Sequence, residues 1–132
     1  MRESGDGGGR IVELTAVTLD CQDPGPMIAF YAGAFDARVS HSDDTGAWIH
    51  IDGGPLILIR VLQEFRSPTW PEPEIPMQMH FELSVDDLEE AEARLQAMGA
   101  TTPSHQPHRD QGNVVMLDPA GHPFCIGGRV TV

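Results

Sequence analysis

The chain contains the same pattern twice: a strand of alternating character, an acidic residue and an amphipathic helix. In the first copy the strand leads to Asp23, and in the second copy a similar strand leads to Asp87. Every unit of an internal repeat must bury its apolar face in the same way, so a repeat restricts the possible folds strongly. Two copies predict one pseudo-symmetric domain rather than a long repeat array.

Each half predicts the order βαβββ, which gives an α+β fold. We expect two βαβββ modules that form a cupped mixed sheet, with the helices outside. The first module spans 11–62 and the second spans 77–130, within a single domain of 11–130. Residues 63–76 contain four prolines and are interpreted as an extended linker. Residues 1–10 are rich in glycine and are interpreted as a flexible leader.

The boundaries of the elements follow from hydrophobic alternation and turn residues. Asp23 and Asp87 are expected to cap the two helices, and Gly99 is expected to end the second. The expected strands of the two modules are 11–21, 35–41, 47–51 and 56–62, then 77–85, 101–105, 112–117 and 123–130.

Charge and composition exclude several classes of partner. The net charge of −12 argues against nucleic acid, because phosphate binding requires a basic surface. No apolar run approaches the roughly 20 residues that cross a bilayer, so no membrane partner is expected. The two cysteines, without a signal peptide, favour reduced thiols and a cytoplasmic protein.

Strand alternation sorts the side chains of each first strand onto two faces. Cys21 is expected to face a helix, whereas Thr18 and Asp20 face the interior of the cup. The second half places His80 and Glu82 on the same interior face. A concave sheet with a partly polar floor is typical of a small-molecule site.

Other residues are candidates for contact with this ligand. Trp48 and His50 share one face of a strand; Trp48 either stacks on a planar ligand or belongs to the core. Ile57 and Ile59 are expected to form an apolar wall of the cup. Trp70 in the linker either closes over the pocket or holds the linker in place.

Several segments together resemble the vicinal oxygen chelate superfamily, which includes glyoxalases, bleomycin-resistance proteins and extradiol dioxygenases. The resemblance rests on residues 19–23, 79–88, 98–100 and 118–124, and Trp70 and the prolines after it suggest the glyoxalase-like branch. It extends over residues 11–130 and implies the paired βαβββ fold. It implies much less about activity, because one fold supports many chemistries.

The resemblance also implies where a metal would bind. The family's four ligand positions fall here on Ala16, Ile57, His80 and Cys125. Alanine and isoleucine have no donor atom, so no metal cofactor is expected, although weak binding at His80 stays open. Cys125 is a candidate for contact with the ligand; a soft metal ligand, a nucleophile and a small buried side chain are its other interpretations.

The expected function is metal-independent binding of a small planar or apolar organic molecule, and a homodimer is expected on family grounds. The alternative is a glyoxalase-like lyase or isomerase that uses His80 and Glu82 as a catalytic acid–base pair. Whether the protein is an enzyme is left open. Strand parity further predicts that Cys21 and Cys125 form no disulfide, because their side chains lie on opposite sides.

Overall fold

The computed structural model describes residues 10–128 and has an α+β architecture, as predicted. The expected leader lies almost wholly outside these residues. No helix or strand occurs between β4 and β5, where the linker was predicted. In chain order the elements are β1 Ala16–Cys21, α1 Pro24–Ala34, β2 Arg38–Asp43, β3 Gly46–His50, β4 Leu56–Val61, β5 Phe81–Ser84, α2 Leu88–Ala97, β6 Asn113–Leu117 and β7 Pro123–Gly127.

The strands form two mixed sheets, one for each module. The first sheet has the order β1-β4-β3-β2, and the second has the order β5-β7-β6. In each sheet the first strand of the module pairs in parallel with the last, while the other pairs are antiparallel. The repeat in the sequence therefore corresponds to a repeat in topology. Within residues 10–128, no helix has the length and apolar character needed to span a bilayer.

The second module lacks the strand that was expected at 101–105. Only Thr101 pairs there, in an isolated bridge with Leu117. Pro103 has no backbone N–H to offer to a sheet ladder. The side chain of Gln106 takes over this role, since its amide accepts from the Val115 N–H at 2.9 Å and donates to the Val115 carbonyl at 2.8 Å.

Acidic caps begin both helices, which confirms the prediction. Asp23 accepts a hydrogen bond from the Gly25 N–H at 3.3 Å, and Asp87 accepts one from the Glu90 N–H at 3.0 Å. These carboxylates satisfy backbone donors that have no partner inside the helix. Gly99 follows α2 with a φ of 116°, a conformation that favours glycine.

A single apolar core joins the two modules. Phe30 and Tyr31 of α1 are both 1% exposed, and their rings pack against Phe124 and Phe81 of the second sheet. The Tyr31 hydroxyl also donates a buried 2.6 Å hydrogen bond to Asp118. The helix of one module is therefore fixed to the turn before β7 of the other.

The predicted orientation of the Cys21 side chain in β1 is confirmed. This residue is 1% exposed and belongs to the core, and both cysteines are free thiols. Cys125 lies in β7 on the other side of the second sheet from the shared core. No Cys21–Cys125 disulfide forms, as expected.

The predicted wall of Ile57 and Ile59 is wrong, because both residues belong to the core. They are 2% and 3% exposed, and Ile57 lies opposite Val17 in the parallel β1–β4 pair. The residue opposite Thr18 is Leu58. Alignment of the two sequence repeats through their turns placed β4 one residue out of register. A shift of one residue exchanges the two faces of a strand.

Candidate functional site

The faces of the two sheets that point away from the shared core are called the open faces. On the second sheet, Glu82 and Cys125 lie directly opposite each other in neighbouring strands, and Val115 lies opposite Cys125 in the next. His80 comes just before β5 and shares the side of Glu82 by alternation. The hydrogen bonding of the sheet therefore brings together three side chains that can transfer protons or bind a ligand.

His80 and Glu82 form a close pair. His80 Nε2 lies 2.7 Å from a carboxylate oxygen of Glu82. The side chains are 31% and 63% exposed, so an incoming molecule can reach both. A carboxylate that accepts from one ring nitrogen orients the imidazole and leaves the other nitrogen to accept a proton. The pair can therefore anchor a hydrogen-bonding ligand or relay a proton.

Cys125 completes a cluster of three possible donor atoms, which all lie within 4.8 Å of one another. Burial, then the charge of Glu82 and a hydrogen bond with it, raise the pKa of the Cys125 thiol to about 11. At neutral pH the thiol is therefore protonated. A protonated thiol is a poor nucleophile, so Cys125 lines the site as a small, weakly polar side chain.

A cavity of about 540 Å³ lies above this cluster and is called the His80 pocket. Trp70 of the linker forms one wall and contacts the ring of His105, with 5.4 Å between ring centroids. The linker tryptophan therefore borders the pocket, and its role as a cover or as an anchor of the linker stays a prediction. The remaining walls are formed by Met77, Pro107, His108, Gln111, Asn113 and Val115.

A second cavity of about 550 Å³ runs between the edge strands β1 and β5 and is called the inter-module groove. Thr18 and Asp20 line it, together with apolar residues of both modules. Asp20 is also engaged elsewhere, since Arg60 binds its carboxylate at 2.8 Å. His80 and Met77 line both cavities, so the two spaces are adjacent.

The structure does not bring Trp48 or His50 to either cavity. Trp48 is 52% exposed on the open face of the first sheet, where its ring lies 5.6 Å from that of His41. His50 lies 2.6 Å from the hydroxyl of Ser40. His50 lines a separate cavity of about 380 Å³. Contact of Trp48 and His50 with a ligand stays a prediction.

Sequence reasoning missed several residues that line the His80 pocket. Asn113 and Val115 come from β6, which reaches the pocket only because it pairs with β7. Their strand was predicted, but the order of strands in the sheet was not. His108 precedes, and Gln111 ends, a short 3-10 helix, Arg109–Gln111, that lies before β6. Met77 was assigned to a strand, yet it lies before β5 in irregular structure.

The fold and these motifs agree with a known family. A model of the glyoxalase-like domain matches residues 16–127. The chain belongs to this family. It is thereby a member of the vicinal oxygen chelate superfamily, which confirms the resemblance seen in the sequence.

Solved structures with the glyoxalase-like fold align over nearly the whole chain. The fosfomycin resistance protein FosX from Listeria monocytogenes is 20% identical, with a TM-score of 0.67 over 92% of this chain and 96% of that one. FosX from Mesorhizobium loti is 18% identical, with a TM-score of 0.67 over 92% and 95%. A glyoxalase/bleomycin resistance protein from Albidiferax ferrireducens is 14% identical, with a TM-score of 0.62 over 88% and 98%. At such identities the likeness shows the fold alone. No curated protein matches the sequence.

One FosX structure from Listeria monocytogenes contains Mn(II) and a dihydroxypropylphosphonic acid, so the fit of a metal to this glyoxalase-like chain can be considered. In the first module Thr18 corresponds to Glu82, and Leu58 corresponds to Cys125. Thr18 lies opposite Leu58 in the parallel β1–β4 pair, as Glu82 lies opposite Cys125 in the parallel β5–β7 pair. The ligand position assigned to Ile57 therefore belongs to Leu58, which also has no donor atom. Ala16 likewise offers none. In the cluster, only His80 and Glu82 offer the nitrogen and oxygen donors that manganese prefers, and the third donor is the soft sulfur of Cys125. Two suitable donors and a thiol do not fit an octahedral manganese site.

Proposed function

We propose that this glyoxalase-like protein binds a small planar or apolar organic molecule in the His80 pocket, without a metal. The observation that carries the proposal is a 540 Å³ cavity with the His80–Glu82 pair on its floor and Trp70 in its wall. Ligand pockets typically combine apolar walls with a few polar groups that fix orientation. Here the pair supplies the polar anchor, and Trp70, Met77 and Val115 supply apolar surface.

Two features support binding without a metal. The first module offers only hydrocarbon at its two ligand positions. In the second module, Glu82 is already paired with His80 at 2.7 Å, and the Cys125 thiol has a raised pKa of about 11. A metal would have to replace the His80–Glu82 contact and remove the thiol proton, since metals bind the deprotonated forms of their ligands.

A second candidate is a lyase or isomerase of the glyoxalase type. The 2.7 Å contact between His80 and Glu82 favours it, because a carboxylate-oriented imidazole is a common general base. In such an enzyme His80 removes a proton from the substrate and later returns it. Both candidate functions use His80 and Glu82, which anchor the ligand in the first and transfer a proton in the second.

Binding and turnover are separated by comparing His80→Ala and Glu82→Gln with the parent protein. Native mass spectrometry of the purified protein identifies any ligand that it carries. If the pair only anchors the ligand, each substitution weakens affinity by about 1–3 kcal/mol, through loss of a hydrogen bond. If the pair is catalytic, turnover falls by about 100-fold or more while affinity changes little. Glutathione-dependent isomerisation of methylglyoxal that is abolished in His80→Ala would refute the binding proposal.

A matched control exists in the same chain. His41 and Asp43 also form a histidine–carboxylate pair two residues apart, at 3.1 Å, but in the exposed strand β2. His41→Ala and Asp43→Asn should therefore change neither ligand affinity nor turnover. An equal effect at both pairs would point to general destabilisation rather than to a site.

Metal independence is tested by elemental analysis after mild dialysis. We expect well under one equivalent of zinc, nickel, manganese or iron per chain, because only one module offers donor atoms at the family's ligand positions. Nearly one equivalent in the parent protein, lost in His80→Ala, would contradict this part of the proposal.

We also propose that the protein forms a homodimer. Every residue of the edge strand β2 is exposed, and Val39 and Trp48 are 37% and 52% exposed on the first sheet. Exposed sheet edges and large apolar side chains are commonly covered by a partner. A second copy of the chain would provide that cover.

A further inference from the structure

We infer that the ligand is an elongated amphiphile that occupies both cavities. Its polar end, a neutral or cationic hydrogen-bond donor, would lie against Glu82 in the His80 pocket. Its apolar body would lie in the inter-module groove. This inference rests on the proposed function, binding at the His80–Glu82 pair, and replaces its broad description of the ligand by one chemical class and shape.

The continuity of the two cavities supports an elongated shape. Met77 and His80 line both, so they form the border between a space of about 540 Å³ and one of about 550 Å³. The segment at this border has an unusual backbone, since Gln78 has a φ of 54°. Non-glycine residues with positive φ are uncommon and often occur near ligand sites. A molecule that enters at His80 can extend past Met77 into the groove.

The walls of the groove favour an apolar body. Val17 and Leu19 of β1 and Phe81 of β5 form its sides, and Phe65 and Pro76 of the linker also border it. Its charged groups include Asp20, which is neutralised by Arg60 at 2.8 Å, and Arg66, which belongs to an exposed part of the linker. Burial of a hydrocarbon chain on such surface is favourable in proportion to the area removed from water.

The charges of the His80 pocket favour a donor at the polar end. Among the described residues that line it, the one carboxylate is Glu82, the two histidines are His80 and His108, and there is no arginine. The chain contains no lysine at all. Glu82 is 63% exposed, so a donor can reach it. An ammonium or hydroxyl group can bind the carboxylate, whereas an anionic group would be repelled.

The test compares two homologous series from two to eight carbons, n-alkylamines and n-alkylcarboxylates. Binding is followed by the fluorescence of Trp70 in a Trp48→Phe background, since these are the two tryptophans of the chain. We expect the affinity of the amines to rise about two- to fourfold for each methylene until the groove is filled. An amine should bind at least about tenfold more tightly than the carboxylate of equal length.

Two substitutions separate the contributions of head and body. Glu82→Gln should remove the preference for amines and keep the dependence on length. Thr18→Phe, which places a ring at the wall of the groove, should remove the dependence on length and keep the preference. Ser42→Phe, on the exposed strand β2, is the matched control and should change neither. If Thr18→Phe does not fold, Thr18→Met serves as the smaller replacement.

The inference is overturned if affinity does not depend on chain length, or if Thr18→Phe and Ser42→Phe behave alike. It is also overturned if carboxylates bind as tightly as amines. Short amines that bind in a Glu82-dependent way, without any effect of length, would refute the groove while leaving the proposed function intact. The proposed function itself fails if binding does not depend on His80 and Glu82, or if the protein isomerises methylglyoxal with glutathione and loses this activity in His80→Ala.

Discussion

The state of the Cys125 thiol is the property of the site that can be predicted most quantitatively. Burial and the neighbouring Glu82 carboxylate raise its pKa from the ordinary 9.0 to about 11. At pH 8 a thiol of pKa 9.0 is ionised in about one molecule in ten, and one of pKa 11 in about one in a thousand. The reactive thiolate is therefore about 100-fold scarcer, and the low exposure of 7% slows the reaction further.

The assay is alkylation by iodoacetamide across a range of pH, followed by mass spectrometry. A Cys21→Ser background leaves Cys125 as the single thiol. We expect at least about a 100-fold slower reaction at pH 8 than for a free cysteine, with the rate rising up to about pH 11. Glu82→Gln should increase the alkylation rate, but by less than about 100-fold, because burial is the larger cause of the raised pKa of Cys125.

The same shift predicts how stability depends on pH. The unfolded thiol ionises near pH 9.0 and the folded thiol near pH 11, so the folded state binds more protons between these values. Stability from Cys125 is therefore fully present below pH 9.0 and is lost as the pH rises towards 11. An alkylation pKa at or below 9.0 in the parent protein would refute this account of the site and would favour a nucleophilic or metal-bound cysteine.

Three further predictions concern packing and assembly. Tyr31→Phe should lower the free energy of unfolding by about 1–3 kcal/mol in urea denaturation, because it removes the donor to Oδ2 of the buried Asp118 carboxylate. Additivity with Asp118→Asn would contradict the coupling. Ile57→Ala should lower the free energy of unfolding by about 2–5 kcal/mol, because this side chain is in the core. Leu58→Ala should lower it by only about 1 kcal/mol, because this side chain is half-buried. The reverse order would favour the sequence-based assignment of Ile57 to the wall of the cup. Light scattering should give twice the chain mass of 14.4 kDa, and Trp48→Glu should shift it towards a single chain; a monomeric parent protein would refute the dimer.

Local signals in the sequence determined the elements that depend on local interactions. Asp23 and Asp87 cap the helices because a short acidic side chain before a helix can reach its free N–H groups. His80 and Glu82 share a face because alternation along one strand is fixed by backbone geometry. The family resemblance rested on these same local motifs, so the fold class and this half of the site were predictable.

Only the tertiary structure decided which strands are neighbours and in which register they pair. Leu58 rather than Ile57 lies opposite Thr18, and this difference of one residue in the register places Ile57 in the core. Trp48 remains on the open face of the first sheet, away from the cluster that β5 and β7 bring together at Glu82 and Cys125. Pairing between distant strands depends on packing of the whole core, which no local pattern records.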